Sequence, residues 1–205
     1  GNTAEYGGGG IYADWTSQKL TLTNCVVEAN SAGSYGGGVF SRDVLVMENT
    51  TVAGNTAENG GGVCSFDGDA RLSNCTIASN MATRGGGAYL IGDNTIGTVT
   101  TIDHVVMENN SAIGGGGIYH FECLLTLTNV QIRGNGSQKT SLGGAIYSFY
   151  ATLVMNNSLL IGNSANYSGG GVYNRRGTMK LVNSTISGNY SYHEGRGSGG
   201  GIYVL

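Results

Sequence analysis

The chain has 205 residues, enough for one sizeable domain, and nothing in it requires two. Charged residues make up 11% against 40% apolar, and the net charge is −3, which excludes a disordered polyelectrolyte and a basic nucleic-acid binder. Glycine occurs 38 times and proline not at all, where average usage predicts about ten, and because proline has no amide donor its absence fits a chain of paired strands.

The first element in the chain is "GGGGIY", ending on Ile11 and Tyr12. It returns as "YGGGVF", "NGGGVC", "RGGGAY", "GGGGIY", "LGGAIY", "SGGGVY" and "SGGGIY". Aligning the aliphatic residues gives Ile11, Val39, Val63, Ala88, Ile118, Ile146, Val172 and Ile202, at intervals of 24 to 30 residues. That period is the signature of a solenoid. An acidic turn follows each of the first five glycine strands, at Asp14, Asp43, Asp67, Asp69, Asp93 and Glu122.

The next element is "LTLTNCVVEANSA", which recurs in altered form in every repeat. Leu22, Met47, Leu72, Ile102, Leu127, Met155 and Leu181 hold one apolar place, and Val27, Val52, Ile77, Met107, Ile132, Leu160 and Ile186 another. Their neighbours alternate to polar, the period of two expected of strands with one buried face. Each repeat therefore carries three short strands and no helix. The fold expected is all-β, a right-handed parallel β-helix (β-solenoid) of about 7–8 coils, forming a single domain over residues 1–205. Neither end reads as a polar cap, and the chain is expected to be a segment of a longer solenoid, with end-to-end self-association as one form of partnership. No apolar run approaches the roughly 18 residues of a membrane span, and no signal-peptide pattern opens the chain, so a soluble segment is expected.

Two asparagine columns mark corners. Asn30, Asn55, Asn80, Asn110, Asn135, Asn163 and Asn189 occupy one place without exception. Asn24, Asn49, Asn74, Asn129, Asn157 and Asn183 occupy another, interrupted by His104. Asparagine tolerates left-handed backbone, and at the ~4.8 Å strand spacing stacked amides can bond as a ladder. The register of the glycines excludes a flexible linker and predicts a corner with positive φ or no room for a β-carbon. Cys25 and Cys75 lie two repeats apart, roughly 9.6 Å in a stack and beyond disulfide reach; with Cys64 and Cys123 they are expected to be unpaired.

These glycine and apolar-x-x-Asn motifs resemble the repeats of the chlamydial polymorphic outer membrane proteins and of other surface proteins with right-handed β-helix regions. "GGAI" itself stands at Gly143 to Ile146, and apolar-x-x-Asn runs from Val27 to Asn30 through Ile186 to Asn189, with Val, Ile, Met or Leu where the family has Phe. The resemblance covers essentially the whole chain and implies an exported, cell-surface and often adhesive protein.

Chemistry is sparse. His104 reads as an asparagine substitute, and His120 and His193 as residues of variable turns; no metal-ligand spacing, nucleophile motif or phosphate loop is present. The carboxylates read as solvated turn groups. "FDGDA" at 66 to 70 is not a full calcium loop, so no cofactor is expected. An outward column of Thr21, Val46, Arg71, Thr101, Thr126, Val154 and Lys180 is too irregular for ice binding. Two aromatic rows remain. Tyr12, Phe40, Tyr89, Tyr119, Tyr147, Tyr173 and Tyr203 follow the inward aliphatic and should stack on the outer face, where stacking alone would justify them. Phe66, Ile91, Phe121 and Phe149, with Trp15 and Tyr150 nearby, form an edge row; of these, Trp15, Phe66, Phe121, Phe149 and Tyr150 are the candidate binding residues.

The function expected is that of a non-enzymatic extracellular structural or adhesive segment at a cell surface, meeting a host or neighbouring cell through a glycan or protein, with no nucleic acid and no direct membrane span. The alternative is a carbohydrate-active β-helix, a polysaccharide lyase, hydrolase or binding module, with catalytic groups in the longer turns around residues 90 to 101, 136 to 142 and 190 to 198.

Overall fold

The computed structural model describes residues 1–15, 19–92, 97–136, 141–192 and 199–205. Among the described residues every regular element is a strand. Three sheets run the length of a solenoid of about seven turns. Sheet I has eight strands, from Ile11–Ala13 to Ile202–Val204. Sheets II and III have seven each, from Lys19–Thr23 to Thr178–Val182 and from Val26–Glu28 to Thr185–Ser187. The register is parallel throughout these sheets and matches the repeat: Ile11, Val39, Val63, Ala88, Ile118, Ile146, Val172 and Ile202 stack in one column. Of the longer turns considered for catalysis, residues 93–96, 137–140 and 193–198 lie outside the described residues, and Asp93 and His193 with them.

The core is a file of aliphatic layers. Val39, Val63 and Ile118 from sheet I, Met47 and Leu127 from sheet II, and Val52, Ile77 and Ile132 from sheet III are fully buried. Each such side chain contributes about 1.5–3 kcal/mol of burial. A single coil cannot offset its own ordering cost of about 1–2 kcal/mol per residue, so stability depends on stacking.

The two corner columns divide roles that the sequence left together. The column of Asn24, Asn49, Asn74, His104, Asn129, Asn157 and Asn183 takes the left-handed conformation, with φ between 48° and 55°. It forms no ladder: His104 is exposed and its Nδ1 lies 2.9 Å from Asp103 Oδ1. The other column forms the ladder. Asn30 Nδ2 donates to Asn55 Oδ1 at 3.0 Å, and the pattern continues through Asn80, Asn110, Asn135, Asn163 and Asn189. Each Oδ1 also accepts the preceding ladder residue's backbone N–H, and from Asn55 onward each Nδ2 also donates to a carbonyl of the preceding coil, such as Ile77 O from Asn110 at 2.9 Å. Asn2 adds an eighth member that the sequence alignment missed. Left-handed backbone at this corner falls one residue earlier, at Ala29, Gly54, Ser79, Asn109, Gly134, Gly162 and Gly188.

The glycine triplet meets different constraints at successive places. The first, as Gly36 or Gly60, has φ near +60° (58° and 66°). At the second, a β-carbon on Gly86 would stand 2.5 Å from Gly116 O and 2.6 Å from Ser111 O, inside both backbones. At the third, a β-carbon on Gly87 would stand 2.6 Å from the single carbonyl of Gly117 and 3.2 Å from the ladder's Asn110 Nδ2, and this is the one place where alanine, Ala145, is accommodated.

His120 is not in a turn, contrary to the sequence reading. It lies in the strand Ile118–Phe121, points inward and is fully buried. Its column comprises Ala13, Ser41, Ser65, Leu90, His120, Ser148, Asn174 and Val204, a chemically mixed set with no consistent apolar signature. Several members bond to the following turn: Ser65 Oγ to Gly68 O at 3.3 Å, and Asn174 Nδ2 to Gly177 O at 2.9 Å. His120 Nδ1 instead lies 3.8 Å from Cys123 Sγ, and Nε2 has no protein partner. Burial in an apolar interior pushes the imidazole down to about 3.

Candidate ligand-binding strip

Alternation along sheet I sends two side chains of each strand outward. The first is the tyrosine row. Its rings stack as expected, Tyr119 on Tyr147 at 4.7 Å and 4°, Tyr147 on Tyr173 at 5.1 Å. Apart from Tyr12 at its end the row is nevertheless largely covered, because the chain segments entering most glycine triplets fold back over it. Phe40 is fully buried beneath Tyr35, whose ring centroid lies 6.0 Å away. Burial accordingly raises the phenol of Tyr119 to about 12. These rings are scaffold more than surface.

The second outward place carries the edge row, and parallel register aligns Phe66, Ile91, Phe121, Phe149 and Arg175. The predicted binding residues fall into two clusters along it. Trp15, 66% exposed, lies with Phe66 around Arg42, whose guanidinium carbon is 4.5 Å from the Trp15 ring and 5.6 Å from the Phe66 ring. Phe121 and Phe149 stack at 5.5 Å, and Tyr150, 44% exposed, packs 4.4 Å from Phe149. Ile91, buried, joins the clusters within the row. Arg175 lies 5.2 Å over Phe149 and Arg176 5.5 Å over Tyr150, with a guanidinium nitrogen of Arg176 donating to the Tyr150 hydroxyl.

The three arginines went unnoticed in the sequence. Their signal was there: Arg175 continues the Phe column, and "RR" follows directly on the tyrosine strand at Asn174. Cation–π contact holds each guanidinium beside a ring, Arg42 among three of them and Arg176 on the exposed end of the row. Ion pairs among the described residues lie elsewhere, at Arg71–Asp69, His104–Asp103 and Arg133–Glu108.

Beside Tyr150 a recess of about 370 Å³ is lined by Thr98, Glu122, Cys123 and Thr152 among others. Burial pushes the Cys123 thiol up to about 12, so the sulfur on its floor is neutral and a poor nucleophile. The four cysteines are unpaired, as the spacing predicted. The turn carboxylates bond backbone: Asp43 Oδ1 accepts from Val44 N–H in its own turn and Asp69 Oδ1 from Val99 N–H of the next coil. Among the described residues no three His, Cys, Asp or Glu side chains are grouped to hold a metal ion.

The chain is a parallel β-solenoid with an aromatic and arginine-bearing strip on the edge of one sheet. Compared with known proteins, it matches no family model, no curated protein and no solved structure.

Proposed function

We propose that this chain is a non-enzymatic, extracellular structural or adhesive segment of a surface β-solenoid that holds a glycan or protein surface along its edge strip. The observation that carries the reading is the pairing of exposed rings with ring-bound arginines at both ends of one row, Trp15 with Arg42 and Phe149 and Tyr150 with Arg175 and Arg176. Rings on a rigid sheet lose little entropy on binding, and apolar edges beside cations suit sugar faces and mixed protein surfaces. The resemblance of the glycine and apolar-x-x-Asn repeats to those of polymorphic outer membrane proteins supports the surface setting.

The test is retention of the protein on arrayed glycans and on intact cells, comparing the natural chain with Phe121→Ser, Phe149→Ser and Trp15→Ala. Each substitution is on the outer face, so the melting temperature should move little while retention falls at least tenfold. Undiminished retention in all three would end the strip reading. Incubation with anionic polysaccharides tests the alternative in parallel, because chain shortening by the purified protein would make it a carbohydrate-active enzyme.

A further inference from the structure

The residues immediately before each first glycine form a column of their own. Gly7, Tyr35, Asn59, Arg84, Gly114, Leu142 and Ser168 are joined one above another by parallel bridges. Their side chains are the lid of the tyrosine row, as Tyr35 over Phe40 demonstrates. At Gly114 the lid is missing. A β-carbon there would stand 3.4 Å and 3.6 Å from Cδ2 and Cε2 of Tyr119 and 3.9 Å from Cδ2 of Tyr147, so ring atoms of both stacked tyrosines border the space that a side chain would fill. The result is a recess of about 260 Å³, walled by Thr83, Arg84, Ile113 and Leu142. That is just below the roughly 300–1,000 Å³ of drug-sized sites and suits a single ring.

Its chemistry is one-sided. Arg84 is exposed, its Nη1 bonds only the neutral amide oxygen of Asn59 at 2.9 Å, and among the described residues no carboxylate lies within ion-pair distance. Aromatic edges carry the positive end of the ring quadrupole, so the floor adds to the guanidinium instead of opposing it. Ile113, 47% exposed, and Leu142 offer an apolar wall. An anion with a compact body that is part apolar and part hydroxylated satisfies all of these at once.

We infer that the Gly114 recess binds one acidic sugar residue, a pyranose carrying a carboxylate, with the carboxylate on Arg84 and the ring's C–H face against Ile113, Leu142 and the tyrosine edges. Arg84 and carboxylate make a charge-assisted pair, and Thr83 on the same wall adds a hydroxyl-bearing side chain to the lining. None of the lining residues belongs to the edge strip, so this site stands or falls separately from it.

Calorimetric titration of the purified chain with a trisaccharide of uronic acids, and with its fully methyl-esterified form, tests the inference. Gly114→Leu copies Leu142 of the next coil, meets ordinary contacts and closes the recess; Arg84→Gln removes the charge and keeps the length. The acid should bind saturably and the ester at least tenfold more weakly. Both variants should lose at least tenfold at an unchanged melting temperature, and Trp15→Ala should bind as the natural chain does. Equal affinity for acid and ester, undiminished binding by a folded Gly114→Leu, or no saturable binding of the acid would each overturn the assignment.

Discussion

Acid should destabilise this protein through one residue, His120. The imidazole is fully buried, its Nε2 has no protein partner, and its folded value lies at about 3 against an ordinary 6.5. The sign follows from where the proton binds. Below pH 6.5 the unfolded chain takes up a proton that the folded chain refuses until about pH 3, so stability falls as pH drops through that window. The full slope is about 1.4 kcal/mol per pH unit, and between pH 6 and pH 4 the loss integrates to about 2.5 kcal/mol. Cys123, the nearest polar side chain, keeps its proton throughout and adds nothing. His120→Leu isolates the effect, because Leu90 holds the same place one coil away. Urea midpoints by circular dichroism at pH 6, 5 and 4 should converge least for the natural chain: the variant's advantage should widen by about 2.5 kcal/mol over the series. A difference between the two proteins that stays constant with pH would refute the reasoning.

Asn110→Ala should cost about 2–4 kcal/mol in urea unfolding, since it removes bonds to Asn135 and Ile77 and strands the Asn80 amide groups that Asn110 accepts. Gly86→Ala should abolish cooperative folding, its β-carbon falling 2.5 Å from Gly116 O and 2.6 Å from Ser111 O, whereas Gly117→Ala, crowded by the one carbonyl of Ala145 at 2.8 Å, should leave a folded protein because Ala145 holds the equivalent place in the next coil; a normal thermal melt for Gly86→Ala would contradict the crowding account. Thiol titration at pH 8 should find Cys64 and Cys123 unreactive in the folded protein, because burial raises both, and Cys25 the most accessible, with all four reacting in denaturant.

What was legible in the sequence is what every coil repeats. The aliphatic column from Ile11 to Ile202, the Asn30 ladder and the glycine register each require the same residue type at every level, because a stacked coil imposes the same environment each time. Position in a repeat therefore translated directly into position in space. The reading failed where a column is chemically mixed. His120 shares its place with Ser, Leu and Asn, so no periodic signal pointed inward, and its true role came only with the strand boundaries. Coverage of the tyrosines was hidden for another reason. The segment that covers them is irregular and touches the row through side chains as different as Tyr35 and Leu142.

The same logic says where function is to be sought. A ladder residue such as Asn80 is bound on both sides by its copies, and its variation is constrained by the fold; it has no bonding capacity left for a ligand. A ligand needs unlike groups side by side, and in a parallel stack those arise only where a column changes identity between neighbouring coils. On the outer side of sheet I two columns do so. The edge row passes from Phe66 through Ile91 and Phe149 to Arg175, and the lid column passes from Arg84 through Gly114 to Leu142. Neither change improves stacking: Arg175 gives up a ring–ring contact, and Gly114 leaves a gap beside the Tyr119 ring. Charge beside apolar surface at places where the scaffold's own contacts are not improved is what a ligand could use, and both places lie on the outer side of sheet I.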